Sequence, residues 1–143
     1  MALTYQEVKT TDALRKRVVH LRDIGTLTQA ADQDCALVQG LNGSGGTIVA
    51  VRARVGANPT GTTSALTYDI HKNGTTIFTS GKIVWGATLT GAATPASIGA
   101  FTGAGEKVYN GDRLSLDADN IGNSGAGANA AIAVEIRVDE PND

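Results

Sequence analysis

Two histidines, one cysteine and a short acidic run are the residues whose chemistry extends beyond packing. A nucleophile needs a base within hydrogen-bond reach, and a divalent metal needs several ligands that converge. His20 and His71 stand far apart in the chain, with no H-x-x-x-H spacing to place two imidazoles together. His71 follows Asp69 by two residues, so in a strand both point the same way, which suits a solvated sheet face. Cys35 is the only cysteine, which excludes an intrachain disulfide and a thiolate zinc cluster; it reads as a small buried hydrophobe in a strand. No serine sits in a G-x-S-x-G elbow. Asp117-Ala118-Asp119-Asn120 offers oxygens of the kind Ca²⁺ takes. It lacks the spaced ligands and terminal Glu of an EF-hand loop, so it reads as turn-forming polar residues.

The glycine-rich stretches Asn42-Gly43-Ser44-Gly45-Gly46 and Gly122-Asn123-Ser124-Gly125-Ala126-Gly127 resemble phosphate loops in glycine content alone. Each leads into a strand-like run rather than a helix, and neither ends in Gly-Lys-Ser/Thr, so both read as turns. Trp85 and Tyr109 are the aromatics available for a sugar-stacking platform, though a core this poor in aromatics has use for both. The chain is therefore expected to be no enzyme, with no cofactor and no metal.

The elements that carry these residues are strands. From Thr47 onward the apolar period is two. Val49, Val51, Ala53 and Val55 share one face of a first run, with Ile48, Ala50, Arg52 and Arg54 on the other. Leu66, Tyr68 and Ile70 alternate with Thr67, Asp69 and His71; Leu114, Leu116 and Ala118 alternate with Arg113, Ser115 and Asp117. Ile132, Val134, Ile136 and Val138 oppose Ala133, Glu135 and Arg137. Such runs are half-buried antiparallel strands. Asn73-Gly74, before Thr75–Thr79, is a strong hairpin signal, because a type I′ turn needs positive φ at both central residues. Asn110-Gly111 is expected to repeat that turn, and Ala57–Gly61 to form a longer one. Shorter strands are expected at Cys35–Gln39, Lys82–Val84 and Lys107–Tyr109. The expected fold is all-β: an antiparallel sandwich of about eight strands with jelly-roll or immunoglobulin-like connections.

A chain of 143 residues fits one domain with a real core. The first 46 residues are the least regular. Arg17–Leu21 and Ile24–Thr28 read as strands feeding the sheet, in preference to a helix N-capped near Thr11-Asp12. Residues 1–15 form an N-terminal arm and residues 16–143 the sandwich. In the arm, Leu3, Tyr5 and Val8 are apolar anchors for a partner, with Arg15, Lys16 and Arg17 as polar ones where it joins the sandwich. Twelve Lys and Arg against 14 Asp and Glu leave a net charge of −2, with no electrostatic footprint for nucleic acid. No apolar run approaches a membrane span of ~20 residues, and the N-terminus lacks the regions of a signal peptide, which points to synthesis in a cytoplasm.

The segments Val51–Gly61 and Leu66–Ser80 resemble a pattern common in tailed-bacteriophage virion proteins. In that group a strand, a V-G-x-x-P-T-G turn and a D-I/V-x-K-N-G-T-T-I-F hairpin follow one another. A G-D-x-L-x-x-D strand, here Gly111–Asp117, then leads through a Gly-rich loop to an alternating last strand, here Ala130–Val138. The resemblance covers about residues 18–138, and K-N-G-T-T-I-F is its most specific part. The Gly86–Gly105 stretch and the N-terminal arm depart from the pattern. Members of the group include capsid decoration (cement) proteins, head fibres and tail-fibre tips, so the resemblance implies a β-sandwich in a virion and carries over no catalytic residue. It leads to the expectation of a cement protein on the capsid surface, made in the bacterial host cytoplasm. Its partners would be the major capsid protein and further copies of itself, as a trimer or alternatively a dimer. A receptor- or glycan-binding fibre tip is the other reading.

Overall fold

The computed structural model describes residues 15–57, 66–85, 95, 97–101, 106–121 and 127–139. These residues contain nine strands and no helix: β1 (Lys16–Thr26), β2 (Ala30–Leu37), β3 (Gly46–Ala57), β4 (Leu66–Lys72), β5 (Thr75–Thr76), β6 (Ile83–Trp85), β7 (Glu106–Val108), β8 (Arg113–Asn120) and β9 (Ala128–Val138). Every pairing is antiparallel. Sheet A has the order β1-β9-β3-β7; sheet B has β2-β8-β4-β5, with β6 also on β4. The chain thus passes from one sheet to the other at each step from β1 to β4 and again from β6 through β9. The fold is an all-β sandwich.

Its core follows from the period-two runs. Leu66, Tyr68 and Ile70 of β4, Leu114, Leu116 and Ala118 of β8, and Ile132, Val134, Ile136 and Val138 of β9 are all buried. Trp85 is fully buried and meets Tyr68 edge-on, with centroids 6.1 Å apart. A polar contact crosses the interior: the Tyr68 hydroxyl on sheet B donates to Asp23 Oδ2 on sheet A at 2.7 Å. Asp23 is itself buried.

The Asn73-Gly74 turn has the expected geometry, with φ of +51° and +88°. After it, regular pairing lasts only through Thr76, and Ile77 and Phe78 turn into the core. Asn110-Gly111 is different. Gly111 has φ +90° while Asn110 has no positive φ, and Asp112 N bonds to Tyr109 O, the pattern of a type II turn. The reason is topological: this turn joins β7 of sheet A to β8 of sheet B, so it is not a hairpin and needs no I′ twist.

Three side chains sit opposite to expectation. A register shift between Ile48 and Ala50 makes Val49 an extra residue against β9, so Ile48 turns inward and Val49 is 39% exposed. Cys35 is exposed, not buried, because it lies on the outward side of β2, an edge strand. In the early part of the chain, the two expected strands around residues 17–28 form the single, bulged β1. Residues 1–14, the Ala57–Gly61 turn beyond residue 57, and most of the Gly86–Gly105 and Gly122–Gly127 stretches lie outside the described residues.

Candidate interaction surfaces

The outer face of sheet B gathers the titratable residues that bear most directly on catalysis. Asp69 and His71 project from β4 and Asp117 from β8, which pairs β4 with Asp69 opposite Asp117. His71 Nε2 lies 3.3 Å from Asp69 Oδ2 and its Nδ1 lies 3.2 Å from Asp117 Oδ2, so both ring nitrogens meet carboxylates. Asp69 Oδ1 also accepts from Thr76 Oγ1 at 2.6 Å and from Ile70 N at 2.8 Å. Asp117 Oδ1 accepts from Asp32 N at 2.9 Å, where β2 bulges and Asp32 takes a φ of +53°. Lys82 reaches Asp119 at 2.6 Å and Asp69 at 3.5 Å; the Asp119 hydrogen bond outweighs partial burial and holds the ammonium above its ordinary pKa. Arg113 pairs with Asp32 at 3.1 Å, and that hydrogen bond, followed by one from Ser115, holds the Asp32 carboxyl below its usual range. Each carboxylate here is committed to cations and donors of its own sheet, so the arrangement ties β2, β4, β5 and β8 together.

A second cluster closes one end of sheet A. Asp139 is buried, accepts from Thr47 Oγ1 through both oxygens, and pairs with Lys107 and Arg137. Burial alone would raise its pKa, but the hydrogen bonds from Lys107, Thr47 and Arg137 outweigh burial and lower it. Beside it, Tyr109 is half-exposed with the Lys107 ammonium 5.8 Å from its ring centre. Lys72 spans the same rim, reaching Glu106 Oε1 at 2.6 Å across the two sheets.

The outer face of sheet A is basic. Register places His20, Ala133 and Arg52 in one row across β1, β9 and β3, and Arg22, Ala131 and Arg54 in the next. These side chains line a depression of about 230 Å³. At the open edge formed by β1 and β2, Val18, Val19, Ala36 and Leu37 line a wider cleft with Arg17 and Gln39.

No protein-family model matches this chain, and no curated protein matches it. Among solved structures the chain is similar to one described as a cyanophage Pam1 capsid asymmetric unit. The identity is 16% and the TM-score 0.44, over 87% of this chain and 85% of that one.

The residues singled out from sequence fall in several places. Arg15 directly precedes β1; Lys16 and Arg17 begin it, with Lys16 paired to Glu135 at 3.3 Å and Arg17 Nε donating to Gly40 O at 3.1 Å. Leu3, Tyr5 and Val8 lie outside the described residues. His20 and His71 lie on different sheets. His71 does point outward, but it is pinned and three-quarters covered rather than solvated. Asp117, Asp119 and Asn120 are strand residues of β8, not a turn, and Asp117 and Asp119 face His71 and Lys82. Among the described residues no three or more His, Cys, Asp or Glu converge on a metal position. The Asn42–Gly45 loop is a turn closed by Gly45 N to Asn42 O, without a phosphate-loop helix. Trp85 belongs to the core and Tyr109 does not. Missed from sequence were the Asp69–His71–Asp117 bridge and the basic rows of sheet A. Asp69 and His71 carried a partial signal in their i, i+2 spacing; the rest is set by cross-strand register.

Proposed function

We propose that this chain is a non-enzymatic structural protein of a tailed-phage virion, and within that class a capsid decoration (cement) protein that bridges capsomers. The observation that carries the reading is the strand order. We read β1-β9-β3-β7 against β2-β8-β4-β5, with repeated crossing between sheets, as a jelly roll, an architecture of viral capsid and lectin domains. The short β5 and β6 together take the place of one strand beside β4. The K-N-G-T-T-I-F resemblance supports the same reading, and its residues build a defined unit here. Asn73 bonds reciprocally to the start of β8, through Asn73 N to Arg113 O and Arg113 N to Asn73 Oδ1, both at 2.8 Å.

In this proposal the protein acts by burying area across subunit boundaries on the capsid surface, after synthesis in the host cytoplasm. Residues 1–15 form an arm, with Leu3, Tyr5 and Val8 as apolar anchors and Arg15, Lys16 and Arg17 as polar ones. A trimer suits three-fold positions of a shell, where one adaptor closes its own symmetry against three neighbours and multiplies weak contacts. The alternative, a glycan-binding fibre tip, draws on Tyr109, whose half-exposed ring beside Lys107 is a stacking surface of the kind lectins use. Quantifying the chain in purified particles separates the two: about one copy per capsid subunit supports decoration, and a few copies at a tail or fibre end refute it. Light scattering tests the oligomer, with a trimer expected and a monomer at micromolar concentration against it. Deleting residues 2–15 should leave the sandwich folded and weaken capture by capsids; a truncated chain that fails to fold would refute the division into arm and domain.

A further inference from the structure

The protein carries a net charge of −2, yet one sheet face is locally cationic. On the outer side of sheet A, His20 and Arg22 of β1 form one wall, Arg52 and Arg54 of β3 the other, and Ala131 and Ala133 of β9 the floor. Glu135, next along β9, pairs with Lys16 at 3.3 Å and Arg52 at 2.9 Å. Asp34, the other carboxylate near this side of β1, accepts from the backbone N–H groups of Arg22 and Cys35. Among the described residues, His20, Arg22 and Arg54 have no carboxylate within ion-pair distance. Alanine at both floor positions leaves the space between the walls open. Directly beside it, Pro95 and Ile98 meet Arg52, Ala53 and Arg54 in a second, mainly apolar hollow of about 360 Å³.

We propose that this trough binds an extended acidic segment of a partner protein. The spacing selects that ligand class. Walls two strands apart are separated by about 9.6 Å, and charges at i, i+2 along a strand by about 6.8 Å. A single tetrahedral anion can engage only some of these cations at once and leaves the others unmatched. An extended peptide lying along β9 repeats its own side chains on one face at the same ~6.8 Å, so alternate Glu or Asp residues match successive cations. The Pro95–Ile98 hollow then takes an apolar side chain of the same segment. Duplex nucleic acid is the weaker match, because its binders present a basic stripe on a domain with a pI above about 9, whereas this sequence has a pI of about 5.6. The partner that carries such a segment need not be a capsid protein.

The test uses the full chain and a fluorescein-labelled peptide of five Glu-Thr repeats, with binding read by anisotropy at low salt. Saturable binding is expected, falling about tenfold or more in Arg22→Ala/Arg54→Ala and steeply with added salt. Lys82→Ala/Arg113→Ala removes the same charge on the opposite sheet, outside the trough, and should change affinity by less than about twofold. Arg22→Lys/Arg54→Lys keeps the charge and should retain affinity within about threefold, which separates a lost site from a damaged fold. Equal weakening by the two alanine pairs, or no saturable binding, would overturn the proposal. So would tighter binding of a sulfated oligosaccharide or a DNA duplex that depends on the same two arginines, because the ligand class would then be wrong.

Discussion

Replacing Tyr68 with phenylalanine removes one oxygen and no packing surface, yet it should be among the costlier conservative changes in this protein. Tyr68 is fully buried and its hydroxyl donates at 2.7 Å to Asp23 Oδ2, a carboxylate that is 4% exposed. Burial, reinforced by the hydrogen bond to Asp23, holds the phenol far above its ordinary pKa, so it remains a donor at any working pH. Without the hydroxyl, Asp23 keeps its desolvation and loses its donor. A hydrogen bond to a charged group is worth about 1.5–3 kcal/mol, and a stranded buried acceptor lies toward the top of that range. At about 2.1 cal/mol/K per residue, a chain of this size unfolds with an entropy of roughly 0.3 kcal/mol/K, so a loss of about 2 kcal/mol lowers Tm by roughly 7 °C. Thermal melts and urea titrations of Tyr68→Phe check this, with the m-value expected to be unchanged. Tyr68→Phe/Asp23→Leu removes both partners and should recover part of the loss. A Tyr68→Phe melt within about 1 °C of the parent would refute the reasoning, because the cross-sandwich bond would then contribute nothing that water cannot replace.

Val134 is fully buried on β9, and Val134→Asp should cost more than about 3 kcal/mol by burying an unpaired charge; an unchanged denaturant midpoint would place that face outside the core. Gly74 has φ +88° with nothing near its missing Cβ, so Gly74→Val should cost about 1–2 kcal/mol or more through backbone strain alone, read from the same titration. The lowered pKa of Asp139 stabilises the fold fully above its unfolded value near 3.9 and is lost as pH falls through the folded value. Acid titrations should therefore show a shallower loss of stability below about pH 4 in Asp139→Asn than in the parent.

The period-two runs made β4, β8 and β9 legible, because the alternating apolar residues of each lie on a face against the core. The Asn73-Gly74 turn was legible for a local reason: a two-residue hairpin depends only on its own φ values. What escaped was decided across strands. Val49 and Ile48 exchange faces at a bulge that exists only because β3 is held against β9. Cys35 is exposed because β2 has a neighbour on one side only. Asn110-Gly111 has the composition of a hairpin turn but joins strands of different sheets, and its geometry follows the connection. The burial of Asp117 on an outer face goes with a bulge in β2 that brings Asp32 N onto it, and that of Asp69 with Thr76, His71 and Lys82 from neighbouring segments. The basic rows of sheet A follow the same rule, since Arg22 and Arg54 become neighbours only through the register of β9 between them.

The placement of β9 between β1 and β3 also sets the order in which the fold can be completed. As the chain emerges from the ribosome, β1 and most of β3 have no ladder partner until residues 128–138 have been synthesised. Loop closure over more than 100 residues must precede the β1–β9 ladder, as in other proteins of high contact order that fold slowly. Until then the nascent chain carries two long unpaired strands rich in valine, the kind of species that associates with its neighbours at high expression. Sheet B does not wait as long: β2, β4, β5, β6 and β8 are all present once residue 120 is out, so its outer Asp69–His71–Asp117 bridge can form while sheet A is still open.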